Sequence, residues 1–222
     1  MDNQKYIFFV PTKKEASSIF RSERFIETDG FIYLKDVPHT VAITGIGKVN
    51  AAITLTKYLC KDLLNGSLPL LIGIAGAYRE SGLSVGDVVM VRDDFFADDA
   101  LLTENTIKST DELGFPVCEG NKVCCCSASY SLPVCDANTV SLISGTNQLA
   151  QLYRNKTGAS IESMEGAAFA LAAASFGIKT AQVRAVSNYC GARDAQEWDT
   201  KRAFVALRNF VNTEFSISNE HI

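Results

Sequence analysis

The sequence predicts an α/β protein: a single domain over residues 1–222, built as a three-layer α/β/α sandwich around a central mixed β-sheet. Three observations lead there. Apolar segments of strand length alternate with segments of helical periodicity along most of the chain. The run "LPLLIGIAGAY" (residues 68–78) is apolar without alternation, which suits a strand covered on both faces. A chain of 222 residues, 47% hydrophobic and 21% charged, can bury one large core.

The elements follow in order. "KYIFFV" (5–10) reads as a first buried strand, and a helix starts at Thr12. "FIYLK" and "TVAIT" read as two strands joined by a short turn at Val37–Pro38. Gly45 and Gly47 break the chain before a helix over 48–64, with apolar positions at 49, 52, 53, 55 and 59. The strand at 68–78 is followed by another, "GDVVMV" (86–91), and then by a polar, loop-rich stretch from Asp93 to Pro116. "NKVCCCSA" and "NTVSLISG" read as strands, "TNQLAQLYRN" as a helix and "GASIE" as a short strand. Met164 to Ser175 is apolar around the whole wheel, so it predicts a buried helix. The strand "TAQVRAVSN" and a helix from about Glu197 to Phe215 complete the chain.

Composition narrows the function. A net charge of −4 argues against a nucleic-acid binder, which needs a basic face. No apolar run reaches the ~18 residues of a membrane span. The start "MDNQKYIFFV" reads as a strand, not a signal peptide, so a cytoplasmic protein is expected. Five of the seven cysteines (Cys118, Cys124, Cys125, Cys126, Cys135) lie close in sequence. They lack paired C-x-x-C spacing, and the two histidines, His39 and His221, are remote. Reduced thiols, no metal and no cofactor are therefore expected.

The candidate chemistry falls at strand ends, where ligands of α/β sheets tend to sit. Glu162 and Glu165 head the apolar helix. Both could simply decorate a helix N-terminus, worth roughly 0.3–1 kcal/mol; alternatively Glu165 faces a cleft and binds hydroxyls. Thr12-Lys13-Lys14-Glu15 has the T-x-x-E spacing of a capping box, and the same carboxylate could take a proton from water. "GIGKVNAA" (45–52) has two glycines but lacks the third of a dinucleotide fingerprint. Arg184 lies within an apolar strand, where it needs a partner. Asn188 offers an amide donor and an acceptor near that strand's end, or an Asx turn. Trp198, the only tryptophan, is either core or a cap on an aromatic ligand.

Four of these segments occur in a distinctive order: "FVPTKKEA", "GIGKVNAA", "GIAGAY…GDVV", and "SMEGAA" followed by "RAVSN". In this the chain resembles the purine nucleoside phosphorylase and nucleosidase superfamily over about residues 6–200. "ESMEGAA" and "SNYCGARDAQEWD" resemble its futalosine hydrolase branch; the sister branch cleaves 5′-methylthioadenosine and S-adenosylhomocysteine. The resemblance implies a purine nucleoside as ligand and hydrolysis of its N-glycosidic bond. It implies that Glu165 binds the ribose hydroxyls with Met164 packed on the sugar, and that Glu15 activates water. Ser187 and Asn188 would face the base, Arg184 would support their loop, and Trp198 would lie near the base. Main-chain groups around Leu142 and Ile143 would line the purine pocket. The adenosine-type nucleosidases carry an aspartate where this chain has Asn188. An amide donates to N7 or a 6-oxo group but cannot act as an acid, which favours hypoxanthine and leaves Asp194 as the candidate proton source. Neither "PTKKEA" nor "LPLLI" holds an arginine for phosphate, so water is the expected nucleophile. A homodimer is expected by resemblance alone.

Overall fold

A computed structural model describes residues 4–28, 31–35, 37–125, 130–215 and 217. Among the described residues, twelve strands and five α-helices follow one another, beginning with β1 (Tyr6–Val10), α1 (Lys13–Phe20), β2 (Phe25–Thr28), β3 (Phe31–Leu34), β4 (Thr40–Ile43), α2 (Lys48–Cys60), β5 (Leu68–Ala77) and β6 (Val88–Phe96). Then come β7 (Ala100–Leu102), β8 (Ile107–Ser109), β9 (Lys122–Cys124), β10 (Val134–Thr139), α3 (Asn147–Thr157), β11 (Ile161–Ser163), α4 (Gly166–Ala174), β12 (Ala181–Tyr189) and α5 (Thr200–Glu214).

Ten strands form one mixed sheet in the order β11-β10-β6-β12-β5-β1-β4-β3-β2, with β9 on the β6 edge. β1 pairs in parallel with β4 and β5, β5 with β12, and β10 with β6 and β11. β12 runs antiparallel to β6. The expected mixed α/β sandwich is present, with one addition: β11 also pairs antiparallel with β5, so that half of the sheet curls onto itself.

Both faces of the central strands are apolar because both are covered. Phe8 and Val10 of β1 pack with α1 and α5 through Ile19, Phe20, Leu207 and Phe210. Ile7 and Phe9 point the other way, against Leu55 of α2 and Phe169 of α4. Burying each large apolar side chain contributes roughly 1.5–3 kcal/mol. Helix α4 is buried along its first turns, while its last residue, Ala174, is exposed.

Several elements differ from the sequence reading. β2 was not anticipated. α2 ends at Cys60, short of Leu64, and it buries Ala51 and Leu55 while Val49 (70% exposed) and Ile53 face outward. β6 runs on through Arg92, Asp93 and Asp94 to Phe96 because those polar groups find partners: Asp136 for Arg92, Lys122 for Asp93, Thr139 and Gln182 for Asp94. The rest of the polar stretch holds the β7–β8 hairpin. "NTVSLISG" is not a strand throughout; β10 lies earlier, at Val134–Thr139, and residues 140–145 are irregular. In "NKVCCCSA" the strand covers Lys122–Cys124; Cys126, Ser127 and Ala128 lie outside the described residues, as does His221. Among the described residues no helix is long and apolar enough to cross a membrane. The described cysteines of the cluster are free thiols, and no group of three or more His, Cys, Asp or Glu among the described residues is placed to hold a metal.

Candidate active site

The parallel strands β1, β5 and β12 end at a cavity of about 350 Å³. Glu15, Ile143, Met164, Glu165, Arg184, Ser187, Asn188 and Trp198 all line it. Asp194 does not: it is exposed on the turn beyond β12.

Glu165 stands at the N-cap of α4, yet its side chain makes no capping bond. One carboxylate oxygen instead accepts the Gly47 N–H at 3.0 Å, and the other accepts Arg184 Nη2 at 3.3 Å. The carboxylate therefore caps no N–H of its own helix and is held instead by a distant backbone N–H and a guanidinium. Gly47 adopts φ +91°, a conformation that L side chains rarely take, and this turns its N–H towards Glu165.

Glu15 forms part of the expected capping box and also lines the cavity. Thr12 caps α1 by accepting the Glu15 N–H at 3.1 Å, and the Thr12 hydroxyl donates to Glu15 Oε2 at 2.8 Å. Thus the carboxylate is held by the cap residue and lies on the cavity wall, 8% exposed. Burial pushes its pKa above the ordinary carboxylate range, opposed by the Thr12 hydroxyl and the Arg184 guanidinium.

Arg184 is 0% exposed and lies between the two acids. Besides Glu165 it donates from Nη1 to the Ile74 carbonyl at 3.4 Å. The carboxylate partner that a buried arginine needs is thus Glu165, and the Arg184 charge also acts on Glu15. Gly73 makes room for it, since a Cβ there would sit 2.9 Å from Nη1 and 3.5 Å from Glu15 Oε1.

At the other end of the cavity, Asn188 pairs across the sheet with Gly76. A Cβ on Gly76 would sit 3.1 Å from Asn188 Nδ2 and 2.9 Å from Cys190 Sγ, so only glycine leaves this floor open. Asn188 Nδ2 donates to the Tyr189 carbonyl at 3.0 Å. A carbonyl can only accept, which fixes the amide's orientation and leaves one N–H free. Ser187 Oγ lies 2.8 Å from Asn188 Oδ1 and 3.2 Å from the Ala75 carbonyl. Ile143 lines the cavity. Leu142 does not, and its main-chain groups are engaged elsewhere, the N–H by Asp98 and the carbonyl by the Tyr153 hydroxyl. Trp198 is 47% exposed at the mouth, with its Nε1 donating to Gln196 Oε1 at 2.7 Å.

Sequence reasoning missed several residues here. Gln196 is buried on the wall and makes four side-chain hydrogen bonds. Its only signal was an amide amid the charged residues after β12. Below α4, Asp94 is fully buried; it accepts from Thr139 Oγ1 at 2.7 Å and Gln182 Nε2 at 3.1 Å. Thr139 Oγ1 in turn accepts the Ala167 N–H at 2.9 Å, anchoring the helix that begins after Glu165. Burial raises the Asp94 pKa to about 6. Gly166 is required there, since a Cβ would overlap the Asp94 carboxylate and the Gln182 amide.

The chain has known relatives. Residues 21–213 match the model of the phosphorylase superfamily. The futalosine hydrolase of Thermus thermophilus is 33% identical over 225 residues, covering 93% of both chains. That of Acidothermus cellulolyticus is 29% identical over 188 residues, covering 78% of this chain and 75% of its own. Among solved structures, the 5′-methylthioadenosine/S-adenosylhomocysteine nucleosidase of Colwellia psychrerythraea, in complex with adenine, superposes with a TM-score of 0.73 at 17% identity, covering 97% and 96% of the two chains. The native futalosine hydrolase of Helicobacter pylori superposes with a TM-score of 0.68 at 17% identity, over 95% and 98%. The solved structures establish a shared fold; the match over residues 21–213 and the identity to the Thermus enzyme establish descent, and the chain belongs to the phosphorylase superfamily.

Proposed function

We propose that this protein hydrolyses the N-glycosidic bond of futalosine and releases hypoxanthine, in the alternative route to menaquinone. One observation carries the reading. Two buried carboxylates, Glu15 and Glu165, flank the Arg184 guanidinium at one side of a cavity, and the oriented amide of Asn188 lies at the other. The relatives over most of the chain are futalosine hydrolases, which supports the substrate.

The sugar lies on the acid side. Glu165 accepts hydrogen bonds from the ribose hydroxyls, with Met164 against the ring. Glu15 positions a water beneath C1′. As the water oxygen bonds to C1′, the bond from C1′ to the base nitrogen breaks and its electron pair passes to the base. Glu15 takes the water proton, a role that the upward shift of its pKa suits. The free Asn188 N–H donates to the developing base anion at N7 or the 6-oxo group; such a preorganised donor is worth roughly 2–4 kcal/mol. The base leaves as its anion and takes a proton from solvent water, and Glu15 returns its proton to solvent, so that hypoxanthine and the free sugar are the products. Ser187 holds the amide, and Ile143 and Trp198 border the base. Asp194 takes no part, being off the cavity wall. The Arg184 charge is already matched by Glu165, which favours water over phosphate as nucleophile.

We place the enzyme in the cytoplasm as a homodimer. Ile46 at the cavity rim and Val49 and Ile53 on the outer face of α2 are exposed, and a second copy would cover that apolar stripe. The deciding experiment incubates the protein with futalosine, aminofutalosine and 5′-methylthioadenosine, with and without phosphate, and measures base release. Futalosine should be cleaved fastest and without phosphate. Preference for a 6-amino substrate, or a phosphate requirement, would overturn the reading.

A further inference from the structure

Glu162 and Gln196 have no part in the chemistry above, yet both are buried on the cavity wall. Glu162 Oε1 accepts the Ser144 N–H at 2.9 Å. Its Oε2 accepts the Ser144 hydroxyl and, at 3.0 Å, the Tyr78 hydroxyl. The Ser144 carbonyl then accepts Gln196 Nε2 at 3.1 Å, and the second hydrogen of that amide goes to the Gly191 carbonyl at 3.0 Å. Gln196 Oε1 accepts Trp198 Nε1 at 2.7 Å and Arg193 Nη1 at 2.9 Å.

We propose that Glu162 and Gln196 are positioning residues, and that the hydrogen-bonded line Glu162–Ser144–Gln196–Trp198 fixes the base-side wall of the cavity. All four members line the cavity, from the sheet at β11 to the mouth. The line ties together two irregular segments, residues 140–145 and 190–199, which ladder bonds cannot hold. Each side chain suits its place chemically. Three donors converge on Glu162, and only a carboxylate accepts all three; a glutamine would turn an N–H towards one of them. Position 196 needs two donors for two carbonyls and an oxygen for two donors, which a primary amide supplies and a carboxylate does not.

Trp198 is the only tryptophan, so its fluorescence reports the end of the line without any substrate. Gln196→Glu should shift its emission to longer wavelength and raise its acrylamide quenching constant about twofold, as the indole loses its fixed partner. Glu162→Gln, which does not touch Trp198, should do the same, and Ser144→Ala should do so in part. Tyr78→Phe is the control: it removes a donor from Glu162 that is off the line, and it should leave Trp198 as in the parent. The kinetic half of the test rests on the nucleosidase reading. In Glu162→Gln and Gln196→Glu, KM for futalosine should rise roughly tenfold while kcat stays within about threefold, because the wall holds the base alike in ground and transition states. An unchanged Trp198 signal in both Glu162→Gln and Ser144→Ala would overturn the proposal, as would a fall in kcat at constant KM. If the parent cleaves no nucleoside, the functional reading fails, and the fluorescence comparison still decides the line.

Discussion

Replacing Glu165 with glutamine changes a single side-chain atom and asks whether this acid reads the sugar. In the parent its two oxygens accept the Gly47 N–H at 3.0 Å and Arg184 Nη2 at 3.3 Å. An amide has one acceptor oxygen, so one of those donors must face an N–H in the mutant. Breaking a buried ion pair costs roughly 3–5 kcal/mol when the other charge is stranded. Here Glu15 still offers Arg184 a negative charge, so a loss of about 2 kcal/mol in stability is expected, or roughly 4–8 °C in Tm. The effect on catalysis is separate. A hydroxyl donating to a charged acceptor gains roughly 1.5–3 kcal/mol and to a neutral one roughly 0.5–1.5 kcal/mol. Two ribose hydroxyls would then lose about 2–3 kcal/mol together, a fall in kcat/KM of roughly 30- to 160-fold. The assay compares futalosine with its 2′-deoxy analogue in both proteins. The deoxy penalty should be about tenfold smaller in Glu165→Gln, since the missing hydroxyl had less to lose. An equal penalty in the two proteins would show that Glu165 does not touch the sugar.

Glu15→Gln should lower kcat by about 10²–10⁴-fold with substrate binding intact, and a near-normal kcat would remove Glu15 as the base. Because burial raises the Glu15 pKa, its stabilising contribution is full below the unfolded value and is lost as pH rises through the folded one. Glu15→Gln should accordingly melt above the parent at pH 8 and not at pH 4. For Asp94, with a pKa of about 6 against an ordinary 3.8, the same sign gives a stability loss of about 3 kcal/mol between pH ~4 and ~7. Urea titrations should show that decline in the parent and a flatter profile in Asp94→Asn; equal slopes would mean that Asp94 is charged without cost. Asn188→Asp should move kcat/KM towards aminofutalosine over futalosine, and an unchanged ratio would mean that this side chain does not read the base edge.

How much of this could be read from the chain depended on what each residue's partners were. β1 and β5 were plain because burial on both faces leaves a continuous apolar run. Glu15 and Glu165 stood out because a carboxylate beside an apolar segment is costly without a purpose. β10 was shifted because Asp136 and Asn138 interrupt its apolar pattern; Asp136 pairs with Arg92 and the Asn138 amide donates to Tyr78, which lie 44 and 60 residues away in sequence. The same holds for Asp94, whose partners Thr139 and Gln182 come from two other strands. Gly166 and Gly73 read as small residues, yet each is required by side chains from other strands, Asp94 and Gln182 in one case and Arg184 in the other. Pattern reports burial well, but it cannot report a polar group whose partner is supplied by the fold.

The placement of Ser187 and Asn188 shows the limit most clearly. In a regular strand successive side chains point to opposite faces, so two neighbours cannot both line one cavity. Both do so here, and their side chains meet at 2.8 Å. The register explains it: Val186 pairs with Ala75, but Asn188 pairs with Gly76, so β12 carries one extra residue at this step. A bulge of this kind bends the strand and re-aims the side chains beyond it. The ladder resumes with Tyr189 opposite Ala77, and the chain then turns through the Gln196 loop to Trp198. Arg184, before the bulge, stays with Glu165, and Asn188 lies beyond it. In the proposed reaction this one inserted residue would divide a single strand between the sugar and the base. Neither glycine nor proline marks the spot, because the irregularity is held by the Ser187–Asn188 contact and by the open floor at Gly76.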